Sequence, residues 1–306
     1  MRSAGRIVVV GDVVTDVLAV LSEPLSAGSD TRAGIGMTGG GQAANTAAWL
    51  AAEGAAVTLV AAVGDDAAGT ARLAELDAAG VHLAVRRCAG PTGTVIVLAH
   101  QSDRTMVADR AANLQLSAAD VDAALDGAPA ARHLHLSGYT LLDAESRAAG
   151  QHALASARAR GLTTSVDASS AHPLRRAGAT SFLDWIAEVD LLLANDDEAT
   201  VLAGGTDPGE QARVLTATAQ HVVVKRGAAG AVWADRQGRL LAEPAHPVQR
   251  VDPTGAGDAF AAGLLAGWLS GAGATAALRR ATALGARAVG TVGARPPTGP
   301  VTARRR

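Results

Sequence analysis

Aromatic residues are scarce in this chain of 306 residues: one tyrosine, two phenylalanines and four tryptophans, 2% of the total. Its core must therefore be filled by alanine, valine and leucine, and an apolar content of 48% supplies them. The one cysteine, Cys88, excludes an internal disulfide framework and any multi-cysteine metal site. Lysine is nearly absent, since of 27 basic residues only Lys225 is a lysine. Arg226 follows it, so the Gly-Lys-Ser/Thr of a P-loop cannot form, and any phosphate chemistry must use backbone amides, arginine or metal. Long apolar runs are missing too. The stretch from Ile7 to Leu21 carries Asp12 and Asp16, and glycines and charges interrupt every other candidate span, which leads us to expect a cytoplasmic protein with no membrane partner. A formal net charge of −2 argues against a nucleic-acid partner. The terminal run Arg304 to Arg306 reads as a solvated tail.

What is present is a rhythm. Ile7 to Val10 is a β-branched run ending at Gly11-Asp12, as expected of a strand buried on both faces. The spacing predicts a helix over 43–53, closed by Gly54, then a strand over 57–60. A second helix–Gly–strand unit covers 147–166, and further strands centre on 191–193 and 222–224. Two helices, 257–268 and one through Leu278 to Val289, close the chain. Alternation of this kind predicts an α/β fold with a doubly wound, mostly parallel sheet. Two segments break the rhythm. Residues 16–36 are mixed and glycine-rich, and 94–107 reads as a hairpin turning at Gln101-Ser102-Asp103. Such insertions make small accessory sheets. With no linker or composition shift, residues 1–306 read as one domain plus that sheet.

The most informative stretch is Val251-Asp252-Pro253-Thr254-Gly255-Ala256-Gly257-Asp258-Ala259-Phe260. A turn leads into small residues and an apolar helix, whose amides and dipole favour an anion at its start. Asp258 beside that anion is electrostatically costly unless it accepts a proton from an attacking hydroxyl. An ordinary N-cap at Thr254 or Asp258 is the plainer alternative. Upstream, Gly39-Gly40-Gly41-Gln42-Ala43-Ala44-Asn45 offers bare backbone and two amide side chains to a polar ligand, or is simply a flexible loop. Asp16 follows the first strand, where a carboxylate lies on the ligand side of a parallel sheet or makes an Asx-turn. Asn195-Asp196-Asp197-Glu198 suits Mg²⁺ or a helix N-terminus. Lys225 to Gly230 is a nucleotide loop or a tight hairpin. His133 and His135 share one strand face, where burial is the simpler reading. Arg104 and Arg110 flank the accessory hairpin and could meet an anionic substrate, although solvent exposure is the default. Gly34 to Gly39 fits G-x-G-x-x-G, but no buried strand precedes it, and a nicotinamide-dependent oxidoreductase loses its support.

These motifs resemble those of the ribokinase-like, or PfkB, family of carbohydrate kinases. The C-terminal signature D-T/P-T-G-A-G-D matches Asp252, Thr254, Gly255, Ala256, Gly257 and Asp258. The N-terminal signature matches Gly40, Gly41 and Asn45, followed by Val63, Gly64, Asp65 and Asp66. The resemblance implies an ATP-dependent kinase that phosphorylates a hydroxymethyl group of a small sugar or sugar derivative. Asp258 would be the base, with Gly255, Ala256 and Gly257 as an anion hole. Asp16, Gly40, Gly41, Gln42 and Asn45 would hold the sugar. Asn195, Glu198, Lys225, Gly227 and Thr254 would serve ATP, with Mg²⁺ near Glu198 and a monovalent cation such as K⁺ near Asp252. The inserted segments 16–36 and 94–107 would form a lid over the sugar and a homodimer contact. Gln42 stands where ribokinase itself usually has lysine, so the sugar stays open. Within the same fold the alternative is a nucleoside kinase, for which this chain is poorly supplied with aromatic rings to stack a base. A sugar-sensing protein without catalysis would have no need of Asp258.

Overall fold

The computed structural model describes residues 5–100 and 103–297. The expected turn at Gln101-Ser102, the Arg104 side chain and the Arg304 to Arg306 tail lie outside the described residues. In chain order the first half contains β1 (Arg6–Val10), β2 (Val14–Leu21), β3 (Ala33–Gly40), α1 (Gln42–Ala52), β4 (Val57–Gly64) and α2 (Ala67–Ala78). There follow β5 (His82–Cys88), β6 (Gly93–His100), β7 (Asp103–Asp109), α3 (Ala118–Asp126), β8 (Ala131–Ser137), α4 (Tyr139–Leu142) and α5 (Ala144–Ala159). The second half has β9 (Thr163–Asp167), α6 (Ala171–Ala177), α7 (Ala179–Trp185), β10 (Leu191–Asn195), α8 (Asp196–Ala203) and α9 (Pro208–Leu215). It closes with β11 (His221–Lys225), β12 (Ala231–Asp235), β13 (Leu240–Glu243), α10 (Ala256–Leu269) and α11 (Ala274–Val289).

A nine-stranded sheet in the order β13-β12-β11-β10-β9-β8-β1-β4-β5 forms the centre. From β11 to β5 all neighbours run parallel, and only β12 and β13 are antiparallel. The doubly wound α/β architecture expected from the alternation is the one observed. The strands β1, β4, β10 and β11 feed two cores, which explains their uninterrupted apolar runs. Val8 and Val10 of β1 pack into the layer beneath α3 and α5. Ile7 and Val9 pack into the opposite layer with α1, α10 and α11. His133 and His135 are fully buried in β8, hydrogen bonded to Thr163 and Ser165, with His133 edge-on to Trp268. No helix among the described residues is long and apolar enough to cross a membrane.

The smaller sheet has the order β3-β2-β6-β7. It extends beyond the expected segments, since 33–40 is a full strand where the sequence showed only glycine-rich chain. The G-x-G-x-x-G run falls inside β3, antiparallel to β2. Register places Ile35, Met37, Ile96 and Val107 on one face and Asp16, Thr38 and Val97 on the other. The first four are exposed, from 41% at Ile96 to 71% at Met37.

The shortage of aromatics is met by close helix packing. A Cβ at Gly263 of α10 would stand 2.8 Å from the Arg280 carbonyl oxygen of α11, and one at Gly267 would stand 2.8 Å from Ala277 Cα. Bare glycine lets the two backbones approach, and the loss of side-chain volume is recovered as contact. Gly263→Ala gains about 1 kcal/mol of helix propensity, yet the added methyl meets backbone that cannot swing away. We expect a net loss of about 1–3 kcal/mol in urea unfolding; a raised midpoint would show that α11 yields.

Candidate active site

The C-terminal ends of the parallel strands bring the polar residues together, as expected where strand order reverses. Asp12 follows β1, and Ser137, Asp167, Asn195 and Lys225 close β8, β9, β10 and β11. Asp167, Asn195 and Lys225 border a cavity of about 810 Å³ that also reaches Glu198, Gly227, Gly257 and Asp258. Val248, Phe260 and Val289 form part of its apolar wall.

Lys225 lies at the centre of the charge. Its Nζ donates to Asp167 Oδ2 at 2.6 Å. Burial works against the ammonium, but Asp167, then Glu198 and Asp258, hold its proton more tightly than usual. A Cβ on Gly257 would lie 3.7 Å from Nζ, so the ammonium sits against the start of α10. Glu198 is 1% exposed. Burial pushes its carboxyl up to about 7, opposed by Lys225. Of the two readings of the acidic cluster, the helix N-terminus is the one the geometry shows. Asn195 and Glu198 form the capping box of α8: Asn195 N and Nδ2 donate to Glu198, and Glu198 N donates back to Asn195 Oδ1. The same two side chains line the cavity, while Asp196 turns to Arg226. Lys225 to Gly230 is a tight hairpin, with Gly227 in the left-handed region at φ 51.

Two helix starts face this region and differ in what covers them. At α1 the amides of Gln42 and Ala43 donate to the Asp12 carboxylate, which also pairs with Arg110 at 3.3 Å. The α10 terminus has Gly255 as N-cap, at φ 74, and no side-chain cap. Neither Thr254 nor Asp258 caps it. Thr254 N and Oγ1 both donate to Asp252 Oδ1, and Gly293 N donates to Asp252 Oδ2. Asp252 thus ties the loop before α10 to the turn after α11. Its carboxylate is committed to the protein's own donors, which gives the expected monovalent cation no observation of its own. Of the α10 amides, Ala256 N lies 3.3 Å from Pro253 O, while Ala256 and Gly257 line the cavity.

Asp258, in the first turn of α10, accepts from Asn45 Nδ2 at 2.8 Å. Burial raises its carboxyl well above the usual range, and the nearby Asp167 carboxylate adds to the effect. Asn45 Oδ1 in turn accepts from Arg295 Nε at 3.2 Å. The glycine cluster proves to be bare backbone approached by protein side chains. A Cβ on Gly39 would meet the Arg295 guanidinium at 2.2 Å, and one on Gly40 would meet the Asp16 carboxylate at 2.3 Å. Asp16 itself lies within β2, paired with Thr38, and Asp12 takes the strand-end position. Burial pushes the Asp16 carboxyl up to about 6, against the pull of Arg295. Gln42 lines the cavity, but its Oε1 is taken by the hydroxyls of Ser137 at 2.7 Å and Ser169 at 2.6 Å. Its amide therefore offers donors only, and both ends of the Asn45 amide already have protein partners. Ser169 is held at φ 76, a strained conformation that these bonds and Asp167 impose. Arg110 lies over the Tyr139 ring at 4.4 Å.

The sequence reading missed Asp167, Ser169 and Arg295. Asp167 carried the signal of a carboxylate at a strand's C-terminal end. Arg295, in a stretch without helix or strand and far from any motif, carried none.

An α/β fold with this mouth of amides, a buried ammonium and carboxylates is that of a phosphotransferase. Comparison with known proteins gives the class its family. Residues 4–299 match the pfkB family carbohydrate kinase, and the chain belongs to that family, whose members are ATP-dependent kinases. An ATP-dependent ribose-1-phosphate kinase of Halopiger xanaduensis is 32% identical over 267 residues, 84% of this chain and 82% of that protein. Adenosine kinase from Sinorhizobium meliloti superposes with a TM-score of 0.87 at 24% identity, covering 96% of each chain. Arabidopsis thaliana ribokinase, solved with ribose and ATP, gives 0.78 at 25% identity, covering 95% of this chain and 94% of that one.

The elevated Asp16 carboxyl carries a stability consequence with a definite sign. Its folded value, about 6, exceeds the ordinary 3.8, so the folded state holds the proton more tightly. That contribution is complete below about pH 4 and is lost as pH rises through about 6. Asp16→Asn should therefore be more stable than the wild type at pH 8, on the order of 1 kcal/mol, and should lose this advantage at pH 4. Parallel unfolding curves at the two pH values test it; equal differences would show that Asp16 ionises freely.

Proposed function

We propose that Asp258 is the general base of a kinase that moves the γ-phosphoryl group of ATP to the hydroxymethyl oxygen of a small sugar or sugar derivative. One observation carries this reading: Asp258 stands in the first turn of an uncapped helix, where the nucleotide-sized cavity meets the residues around Asp16 and Asn45. The acceptor hydroxyl lies toward Asp16, Gly40, Gly41, Gln42 and Asn45, with Gln42 donating. Asp258 takes its proton as the oxygen attacks phosphorus and the bond to the β-phosphate oxygen breaks. The amides of Gly255, Ala256 and Gly257 face the charge on the equatorial oxygens. Lys225 neutralises the phosphates from below, and Gly227 and Thr254 border the nucleotide.

Among the described residues no group of three acidic, histidine or cysteine side chains could hold a metal alone. Mg²⁺ keeps most of its water and takes phosphate oxygens, so one buried carboxylate with a neighbouring amide fits it. Both Glu198 oxygens and Asn195 Oδ1 already accept within the capping box, so these two residues would hold such an ion through its water, and it would supply charge neutralisation when bound. No step depends on a cation near Asp252. A cytoplasmic setting, where ATP is abundant, suits this chemistry.

Asp258→Asn keeps the shape and the contact with Asn45 but cannot accept a proton. We expect kcat to fall about 10²–10⁴-fold with both substrates still bound. An active variant would show that the carboxylate only shapes the helix start.

The smaller sheet serves in this reading as a lid, presenting Asp16 to the acceptor. Its outer face, with Ile35, Met37, Ile96 and Val107 exposed, is apolar enough to pair with a second copy. The double substitution Ile35→Lys, Met37→Lys should leave a monomer in light scattering where the wild type is a dimer. A monomeric wild type would sink the pairing.

A further inference from the structure

We propose that Arg295 is a positioning residue for Asp258, acting through Asn45: it fixes the Asn45 amide so that its N–H faces the base. The inference rests on the reading of Asp258 as the base. Each Arg295 nitrogen already has a protein partner. Nε donates to Asn45 Oδ1 at 3.2 Å, one terminal nitrogen to Glu75 Oε2 at 3.1 Å, and the other to the Gly40 carbonyl at 3.0 Å. The side chain is 13% exposed. Three of its five N–H groups are thus committed, one on each nitrogen, and Arg295 is not among the residues that line the cavity, which separates it from a phosphate-binding arginine.

The backbone on which it stands is pinned as well. Trp49 Nε1 donates to Ala294 O at 2.9 Å, and Gly293 N donates to Asp252 at 3.0 Å. The stretch carrying Arg295 is thereby anchored both to α1, which bears Asn45, and to the loop that opens α10, which bears Asp258. The absence of a side chain at Gly39 clears the space for the guanidinium.

The chemistry follows from the polarity of an amide. With Oδ1 held by a cation, Asn45 presents Nδ2–H to Asp258; a flip would set oxygen against oxygen on one side and N–H against guanidinium on the other. The cation also polarises the amide, so its N–H binds the ionised carboxylate better than the protonated one. Arg295 thus opposes the burial and the neighbouring carboxylates that push the Asp258 proton on. Asp258 is faced by Lys225 from β11, Asp167 from β9 and Asp12 after β1. Arg295 is faced by Glu75 and Arg72 from α2, Asp16 from β2 and, beyond Asn45, Asp258 itself from α10.

The test is the pH dependence of kcat at saturating substrates, with ATP and the acceptor that the wild type turns over. Arg295→Met should move the acidic limb upward by about one pH unit, costing about tenfold in kcat below it, with the KM for ATP unchanged. Asn45→Ala should show a similar shift, and adding Arg295→Met to it should lower kcat less than twofold further. Arg295→Lys should fall between wild type and Arg295→Met, because one ammonium cannot hold Asn45, Glu75 and Gly40 together. Should Arg295→Met fail to fold, the Arg295→Lys profile decides by the same shift. An unmoved profile with a raised acceptor KM would make Arg295 a binding residue and overturn the proposal. Multiplying effects of the two substitutions would overturn its route through Asn45. Neither result touches the base itself, which stands or falls on Asp258→Asn.

Discussion

The buried pair of Lys225 and Asp167 is the constraint on which the rest of the site depends. Three carboxylates, Asp167, Glu198 and Asp258, meet near one ammonium at the ends of parallel strands, out of bulk water. Such a group is tolerable only while its cation stays, since an uncompensated buried charge costs more than the pair contributes. The parallel sheet fixes the spacing: Asp167 and Lys225 close β9 and β11, on either side of β10 and Asn195. The excess of negative charge is relieved in part by protons, since burial and neighbouring carboxylates make Glu198 and Asp258 hold theirs more tightly than usual.

The large sheet was legible because its strands are buried on both sides. Runs such as Val222-Val223-Val224 have no polar face to blur them, and glycines mark the helix ends. The smaller sheet was half hidden. In β3 the residues Gly34, Gly36, Gly39 and Gly40 erase the alternation by which a half-exposed strand is recognised, and two of those glycines are there for Arg295 and Asp16. The reason for them lies in another part of the chain.

The site divides in the same way. Asp258, Asn45 and Lys225 stand in local patterns with local reasons, a helix start or a strand end. Arg295 meets Asn45 across 250 positions of sequence. Gln42 was legible as a polar ligand but not as a donor alone, because the hydroxyls that occupy its oxygen come from Ser137 and Ser169, 95 and 127 residues away. Polarity of an amide is a tertiary property, set by whatever reaches it first.

The scarcity of lysine acquires a meaning once Lys225 is placed. Every other basic side chain is arginine, whose charge persists to a pH beyond any the protein meets and offers no amine to acylating reagents. Acetylation, the common way of erasing a protein's positive charge, therefore has no side-chain target on the outer surface. Its one target is an ammonium inside the cavity, paired at 2.6 Å with Asp167. The modification would meet either nothing or the centre of the machinery, and a nucleotide seated there would decide which.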